Sequence, residues 1–215
     1  YLCRMKKMIM MIAAGIVLTA VPLSAQLNTL MAGTENTDWD ISLETGTGNT
    51  EGASGMTTDA VREVWVRRYL SVCYPLRKMK VNSPYGYRTD PFTGKRRFHN
   101  GIDLHARGDE ALAMMEGTVL KVGQDRTSGK YVVLRHGEFT VSYCHLSRIL
   151  VSKGASVRPR DAVGITGSTG RSTGEHLHIT CRRNGKYVNP TEIFGYIKTT
   201  REKCVAALAE MSQDV

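Results

Sequence analysis

The sequence lacks two features that would place the protein in familiar classes. None of its five cysteines is paired at the C-x-x-C spacing of a structural zinc site, so metal binding by cysteine is not expected. Its longest apolar run, from Met8 to about Val21, is shorter than the ~20 residues that a membrane-spanning helix needs. With 41% hydrophobic and 23% charged residues, the chain is neither disordered as a whole nor a multi-span membrane protein.

The short apolar run has the features of a secretory signal peptide over residues 1–25. Two lysines precede it and small residues end it at Ala25. Because Met5 opens the pattern, we interpret residues 1–4 as an upstream translation artefact. No charge cluster and no cysteine follows the run, which favours cleavage over an uncleaved anchor or a lipid anchor. We therefore expect export to the periplasm, cell envelope or exterior, with no stable membrane insertion after cleavage.

Residues 26–60 contain no Lys or Arg and carry six acidic residues, a net charge of −6. In contrast, residues 61–215 carry 26 Lys and Arg against 14 Asp and Glu, a net charge of +12. The acidic stretch has too few apolar residues to offset the entropy of ordering, so we predict a flexible linker. It could serve as a spacer, or fold back on the basic domain and slow substrate access; the sequence leaves both open.

The remaining sequence predicts a β-rich domain with short flanking helices. Thr58 is placed to cap a helix from Asp59 to about Leu70, and we assign residues 61–84 to a helical lead-in that holds most of this helix. A second helix is predicted from about Thr200 to Met211, within a C-terminal segment 197–215 that we expect to pack on the sheet.

Short β-branched runs punctuated by glycine predict strands between the helices. The predicted strands are Thr118–Val122, Tyr131–Arg135, Phe139–His145, Val163–Thr166 and Glu175–Arg182. Asn184-Gly185 predicts a two-residue hairpin turn, and His136-Gly137-Glu138 predicts a second turn. Four cysteines follow the signal segment, and we interpret them as buried thiols or as one or two disulfides without a readable pairing: Cys73, Cys144, Cys181 and Cys204.

The six histidines all lie within this β-rich part. His176 and His178 alternate along a predicted strand, so their imidazoles project from the same face. His99 and Asp103 bracket an Asn-Gly step, which permits a turn that aims both side chains at one point. Two histidines and one carboxylate suffice for a catalytic zinc whose fourth position is open to water, and water acidified in this way suits hydrolysis of an amide.

The stretch from Tyr85 to Phe194 resembles the lysostaphin-like M23 family of cell-wall metallopeptidases, also called the LytM domain. We assign residues 85–196 to this domain. The resemblance rests on Gly86-Tyr87-Arg88, Thr93-Gly94, Phe98-His99-Asn100-Gly101-Ile102-Asp103, Gly117-Thr118-Val119, Tyr143-Cys144-His145-Leu146-Ser147, Gly167-Ser168-Thr169-Gly170, His176-Leu177-His178 and Asn189-Pro190. It implies an all-β fold, an antiparallel β-sandwich with a groove.

The same resemblance implies a role for five side chains. His99, Asp103 and His178 would bind Zn²⁺, and His145 and His176 would form the catalytic pair. One of the pair would act as general base, while the other would stabilise the oxyanion or protonate the leaving amine. The sequence does not indicate which histidine takes which role.

Two residues depart from the family pattern. Cys144 stands where a small residue is common, and we expect it to be buried on the strand face opposite to that of His145. His105 follows Asp103 by two residues and could support the site or contact substrate, or could be a plain surface histidine. His136, beside a predicted turn, is expected to be structural or exposed.

These features favour a secreted zinc metalloendopeptidase that hydrolyses peptide bonds of peptidoglycan crosslinks or stems. A basic domain suits an anionic wall polymer, while the export signal and the lack of an aromatic-basic motif argue against nucleic acid. The alternative is a non-catalytic LytM-type module that binds wall and activates another hydrolase, although such modules typically lack some of the five side chains present here. The bond cleaved, the biological role and the oligomeric state are not readable from the sequence.

Overall fold

The computed structural model of the protein describes residues 57–212. The predicted signal peptide and all but the last four residues of the predicted acidic linker lie outside this range. Within it, neither helix is apolar and long enough to cross a bilayer.

Two helices flank a series of β-strands. The helices are α1 (Thr58–Leu70) and α2 (Thr191–Glu210). The strands are β1 (Val81–Ser83), β2 (Gly86–Thr89), β3 (Arg96–His99), β4 (Gly101–His105), β5 (Glu110–Leu112), β6 (Gly117–Asp125), β7 (Gly129–His136), β8 (Phe139–Leu146), β9 (Arg148–Ile149), β10 (Ser156–Val157), β11 (Ala162–Ile165), β12 (His176–Arg183) and β13 (Lys186–Val188).

The strands form three antiparallel sheets. The largest has the order β1-β4-β12-β8-β7-β6-β10, with β13 paired to β12. A three-stranded sheet, β5-β11-β9, shares its hydrophobic core, and the hairpin β2-β3 forms the third sheet. The predicted antiparallel all-β fold is confirmed.

The large sheet buries one face and leaves the other to line a groove. Core residues alternate along its central strands, as in Ile102 and Leu104 of β4 or Leu177 and Ile179 of β12, and each is at most 2% exposed. The intervening residues project from the opposite face, because successive side chains of a strand point in opposite directions. This alternation decides which side chains reach the groove.

The five predicted strands are observed with shifts of a few residues as β6, β7, β8, β11 and β12. The predicted turn at Asn184-Gly185 is present, and both residues have the positive φ angles, 50° and 77°, that a tight hairpin requires. The turn after His136 is also present. Eight strands were not predicted, because each has only two to five residues and β3 carries arginine on both faces: β1 to β5, β9, β10 and β13.

Both helices begin earlier than predicted. The hydroxyl of Thr57, not Thr58, accepts from the backbone N–H of Ala60 and caps α1. Helix α2 starts at Thr191, whose backbone N–H donates to the Asn189 side chain. The earlier start of α2 was missed because its first two turns bury only Ile193 and Ile197, and tertiary contacts of these two residues stabilise them.

Four buried residues at helical spacing attach α2 to the rest of the domain: Ile193, Ile197, Thr200 and Cys204. The helix also packs against α1, where the guanidinium of Arg201 donates to the hydroxyl of Tyr69 and lies over its ring. The predicted packing of the C-terminal helix on the sheet is therefore only part of its contacts.

All four cysteines of the described range are free thiols and are buried: Cys73, Cys144, Cys181 and Cys204. Of the two interpretations left open by the sequence, buried thiols are observed and disulfides are not.

Candidate active site

Two neighbouring strands of the large sheet carry Asp103 and His178 side by side. The antiparallel register of β4 and β12 places His178 opposite Asp103 and His176 opposite His105. Directly opposed residues share a face of a sheet, and Asp103, His176 and His178 line the groove. The alternation of His176 and His178 agrees with the prediction, and Asp103 joins them from the adjacent strand.

Gly101 permits the close approach of β4 to the imidazole of His178. A Cβ built on Gly101 would collide with the carbonyl oxygen of Ile179 and would lie 2.6 Å from Cε1 of His178. The Asn-Gly step was predicted to be a turn, but Asn100 is a bend between two strands and Gly101 begins β4. The requirement for glycine here is steric.

His99 reaches the site from a different sheet. It ends β3, and the bend at Asn100 leads the chain from the small hairpin into β4. Its Nδ1 lies 2.8 Å from the carbonyl oxygen of Pro84 and donates to it. A neutral His99 therefore carries its lone pair on Nε2, which faces Asp103 and His178.

Three donor atoms meet at one point. His178 Nδ1 lies 2.7 Å from Asp103 Oδ1, and His99 Nε2 lies 3.3 Å from the same oxygen. The two ring nitrogens are 3.1 Å apart. Tetrahedral ligands at about 2.0–2.2 Å from Zn²⁺ are separated by ~3.4 Å, so a slight outward movement would fit one such ion among these atoms.

Asp103 is held in its ionised form. Burial alone would raise its pKa, but hydrogen bonds and charges from His178 and His99 outweigh burial and hold the pKa of Asp103 far below its ordinary range. Its second oxygen, Oδ2, lies 3.3 Å from Nη2 of Arg88. Arg88 thus orients the carboxylate so that Oδ1 faces the two histidines.

His145 enters the site through an irregularity in β8. The prediction that Cys144 and His145 point to opposite faces is wrong, because both line the groove. The register of β7 with β8 shifts between Lys130 and Val132, and His145 has a left-handed φ of 62°. This bulge breaks the alternation and aims the imidazole into the groove.

His145 and His176 are each held at Nδ1 by a backbone carbonyl. The distances are 2.8 Å from His145 to Thr169 O and 2.7 Å from His176 to Gly174 O, and the ring centroids are 4.7 Å apart. In the neutral form each ring therefore offers an unprotonated Nε2. Burial lowers the pKa of His145 to about 4; the Thr169 hydrogen bond opposes this shift, and nearby histidine charges reinforce it.

The glycine-rich loop 167–174 supplies both carbonyls. The hydroxyl of Thr169 donates to the Leu146 carbonyl at 2.7 Å, which fixes the loop to the end of β8. On its outer side, Arg171 Nη2 lies 2.9 and 3.0 Å from the two oxygens of Asp90. The ion pair ties this loop to the β2-β3 hairpin, so the two segments that flank the histidines are joined.

The part of the chain that carries the donor cluster matches a known protein family. Residues 97–190 match Peptidase family M23. These residues form a domain of peptidase family M23.

Relatives of this chain, which match it over 55–56% of its length, include bacterial proteins of greater length. It is 42% identical over 125 residues to an uncharacterized metalloprotease of Haemophilus influenzae, covering 56% of this chain and 26% of that protein. It is 36% identical over 122 residues to the peptidoglycan DD-endopeptidase ShyC of Vibrio cholerae, covering 55% of this chain and 28% of that protein. The chain thus spans about a quarter of the length of these relatives.

The fold of the M23 domain is also found in solved structures. The catalytic domain of the antimicrobial peptidase lysostaphin from Staphylococcus simulans matches with a TM-score of 0.50 and 26% identity. The match covers 56% of this chain and 92% of the lysostaphin domain.

Cys144, His105 and His136 do not join the donor cluster. Cys144 is buried as expected, and burial raises the pKa of its thiol to about 12. His105 is exposed at the end of β4, opposite His176. His136 is only 2% exposed and donates from Nδ1 to Glu116 O, which makes it structural.

Arg88, Pro84 and Thr169 also shape the site, and their roles were not predicted from the sequence. Arg88 belongs to a quoted motif, and this was the one available signal for its contact with Asp103. Pro84 and Thr169 act through their carbonyl oxygens, and a carbonyl leaves no trace in residue identity.

The site opens into a groove of about 660 Å³. The five residues of the predicted site all line it: His99, Asp103, His145, His176 and His178. Beyond the histidines its floor is formed by residues of β6, β7, β8 and β12, and along β8 and β12 the groove extends as far as Thr140 and Arg182.

Proposed function

We propose that this M23 chain is a zinc-dependent endopeptidase that hydrolyses peptide bonds in bacterial peptidoglycan. The observation that carries the proposal is the convergence of three donors, His99, Asp103 and His178, beside two histidines whose free ring nitrogens face the same groove. Clusters of ionisable side chains in an open cleft, some with shifted pKa values, are typical of functional sites.

The donor set suits Zn²⁺ because it combines two imidazole nitrogens with one carboxylate oxygen. His99 Nε2, Asp103 Oδ1 and His178 Nδ1 would hold the ion. When bound, zinc would supply Lewis acidity and would lower the pKa of water to about 7. The Pro84 carbonyl and Arg88 would fix the orientation of two of the ligands.

His145 and His176 would carry out the proton transfers of amide hydrolysis. The lowered pKa of His145 keeps its ring neutral at physiological pH, so Nε2 can accept a proton from the attacking water. His176 Nε2 lies 3.6 Å from Asp103 Oδ1, close to the donor cluster. From there it can donate to the developing oxyanion or the leaving nitrogen, as His145 can after protonation.

The substrate assignment rests on the likeness to a peptidoglycan DD-endopeptidase and on charge. The described residues carry an excess of Lys and Arg over Asp and Glu, which would raise the local concentration of an anionic polymer. We propose that the protein acts outside the cytoplasm, because the predicted signal peptide precedes the domain.

The test compares ligand and catalytic variants of the full chain on purified peptidoglycan. His99→Ala should lose zinc in elemental analysis, whereas His145→Ala and His176→Ala should keep zinc and lose most turnover. His136→Asn is the matched control, a histidine outside the groove, and should keep both. A chelator should abolish activity and added zinc should restore it.

The products should carry new amino groups and no new reducing sugar ends, because the donor cluster joins one carboxylate to histidines, whereas glycosidases use a pair of carboxylates. New reducing ends would contradict the proposal. Undiminished wall-hydrolase activation by a zinc-free His176→Ala chain would favour the alternative, a non-catalytic activator of another hydrolase.

A further inference from the structure

The floor of the groove continues beyond the histidines with a definite charge. Alternation along β12 places Thr180 and Arg182 on the face that carries His178. On β8, Thr140 pairs with Arg182 and Ser142 pairs with Thr180. These four residues line the groove, so its far end is polar and carries a guanidinium.

Arg182 is oriented but not neutralised. Its Nη2 donates to the hydroxyl of Tyr187 at 2.5 Å, and the guanidinium lies 4.2 Å from the centroid of that ring. Within residues 57–212, no carboxylate lies within ion-pair distance of Arg182. The aromatic contact therefore holds the charge in place and leaves its remaining donors directed to solvent.

A second guanidinium stands on the other side of Thr140. Arg135 of β7 is paired with Thr140 of β8, and directly opposed residues share a face. The Cα atoms of Arg135 and Arg182 are thus two strand spacings apart, about 10 Å. Arg135 is exposed and also forms no ion pair among the described residues. Two long cationic side chains can reach a single anion above Thr140.

The neighbouring arginine on β12 shows the opposite situation. Arg183 points to the other face, where its Nε lies 2.7 Å from Glu138 Oε2. The same strand therefore carries one arginine that is paired within the protein and one that is left for a ligand.

We propose that Arg182 and Arg135 form a subsite for a carboxylate of the substrate peptide, about four residues from the cleaved bond. This inference rests on the proposed peptidase function. Arg182 is four residues from His178 along β12, which is ~13 Å at the rise of a β-strand. An extended peptide advances about 3.3–3.6 Å per residue, so a chain cleaved at the histidines would place its fourth residue over Thr140.

The subsite gives the groove a substrate preference. Guanidinium groups bind carboxylates through paired charge-assisted hydrogen bonds, which a carboxamide cannot reproduce in strength. Peptides that keep a free carboxylate at this position should be cleaved in preference to amidated peptides.

The experiment measures kcat/KM of the full chain on soluble cross-linked muropeptides, used as prepared or after amidation of their carboxylates. Amidation should lower kcat/KM about tenfold, which corresponds to about 1.4 kcal/mol. In Arg182→Gln the kcat/KM for the carboxylate substrate should fall until it is close to that for the amidated substrate. Arg135→Gln should reduce the same difference. Arg183→Gln removes the same charge from the same strand and should keep the full preference.

Binding to the His176→Ala chain separates the two proposals. If muropeptides bind with the carboxylate preference but no variant or parent chain cleaves them, the carboxylate subsite stands and the peptidase function fails. If the parent chain cleaves both forms equally, the subsite is wrong and the function stands. A preference that survives in Arg182→Gln, or that is lost equally in Arg183→Gln, would also overturn the subsite.

Discussion

Two groups of residues build the site in different ways. Asp103 and His178 stand opposite each other on paired strands, where the register of β4 and β12 sets their separation. His99 and His145 stand at a strand end and in a bulge, and each depends on a backbone carbonyl, 15 and 24 residues away in sequence respectively. The first pair is thus positioned by the core and the second by loops.

Because one pair is positioned by the core and the other by loops, mutations can affect the two pairs separately. The strands that carry Asp103 and His178 also contribute Ile102, Leu177 and Ile179 to the core, so a change in their register affects stability and the donor cluster together. His145 is held by a carbonyl clamp, the hydrogen bond from its Nδ1 to the Thr169 carbonyl. This bond can be broken while the core remains packed. Substitutions directed at the two groups should therefore give different combinations of stability, metal content and turnover.

The largest effect is expected from Gly101→Ala, which would disturb the pairing of β4 with β12. The new Cβ would collide with the backbone oxygen of Ile179, and backbone cannot move aside as a side chain can. We expect a loss of roughly 3 kcal/mol in the free energy of unfolding, at the upper end for overpacking, together with loss of zinc. Urea unfolding and elemental analysis measure the two quantities.

Gly123→Ala is the matched control for that experiment. A Cβ at Gly123 would lie 2.9 Å from the hydroxyl of Tyr131, the far end of a side chain at the groove edge. It should cost much less stability and leave the metal in place. Equal losses in the two variants would show that the register of β4 with β12 is not what positions the donors.

The same contrast explains how much the sequence could predict. His176 and His178 share a face because side chains two residues apart on a strand point the same way, and this can be predicted from the sequence. The hairpin turns can also be predicted, because Asn-Gly and glycine tolerate the positive φ angles that tight turns require. The orientation of His145 could not be predicted, because a bulge shifts every later side chain to the other face and depends on tertiary contacts. The start of α2 was missed for a similar reason, since core contacts of Ile193 stabilise its first turn.

The next largest effect is expected from Gly170→Ala, which would disturb the carbonyl clamp on His145. Gly170 has a φ of 74°, and an added Cβ would collide with the backbone N of Gly129 and lie 2.6 Å from its Cα. The adjacent Thr169 carbonyl should then move away from His145. We expect turnover to fall by about 10- to 100-fold with zinc retained, because misplaced catalytic groups lose effective molarity.

Gly154→Ala controls for backbone strain alone, since Gly154 has a φ of 86° and open space around the position of a Cβ. It should lose some stability and keep its turnover. Loss of zinc in Gly170→Ala would show that the loop and the strands are not independent.

A smaller effect is expected from Arg171→Gln, which unties the loop from the β2-β3 hairpin. Burial raises the pKa of Asp90, but backbone N–H groups of Phe92 and Thr93 and the Arg171 guanidinium outweigh it and bring the pKa to about 2. Asp90 therefore stays ionised and its backbone contacts remain. We expect about a threefold loss of turnover with unchanged zinc content.

Arg97→Gln is the control, because Arg97 also faces Asp90 but at 3.6 Å and from within the same hairpin. Its turnover should stay near that of the parent chain. The idea that the ion pair between loop and hairpin supports the positions of His145 and His176 fails if both variants lose activity to the same extent.

The smallest effect concerns His136, which is clamped by a carbonyl as His145 is but lies outside the groove. Burial lowers the pKa of His136 below 6.5, and the hydrogen bond to Glu116 opposes this shift. As pH falls below 6.5, the unfolded chain takes up a proton that the folded chain does not, so His136 makes folding less favourable in acid. One such proton changes the free energy of unfolding by at most about 1.4 kcal/mol per pH unit.

His136→Asn can keep a donor to Glu116 O without titrating, so its unfolding free energy should depend less steeply on pH between 5 and 7, while turnover at pH 7 is unchanged. An identical slope in the two proteins would mean that a carbonyl clamp on a buried histidine does not by itself create acid sensitivity.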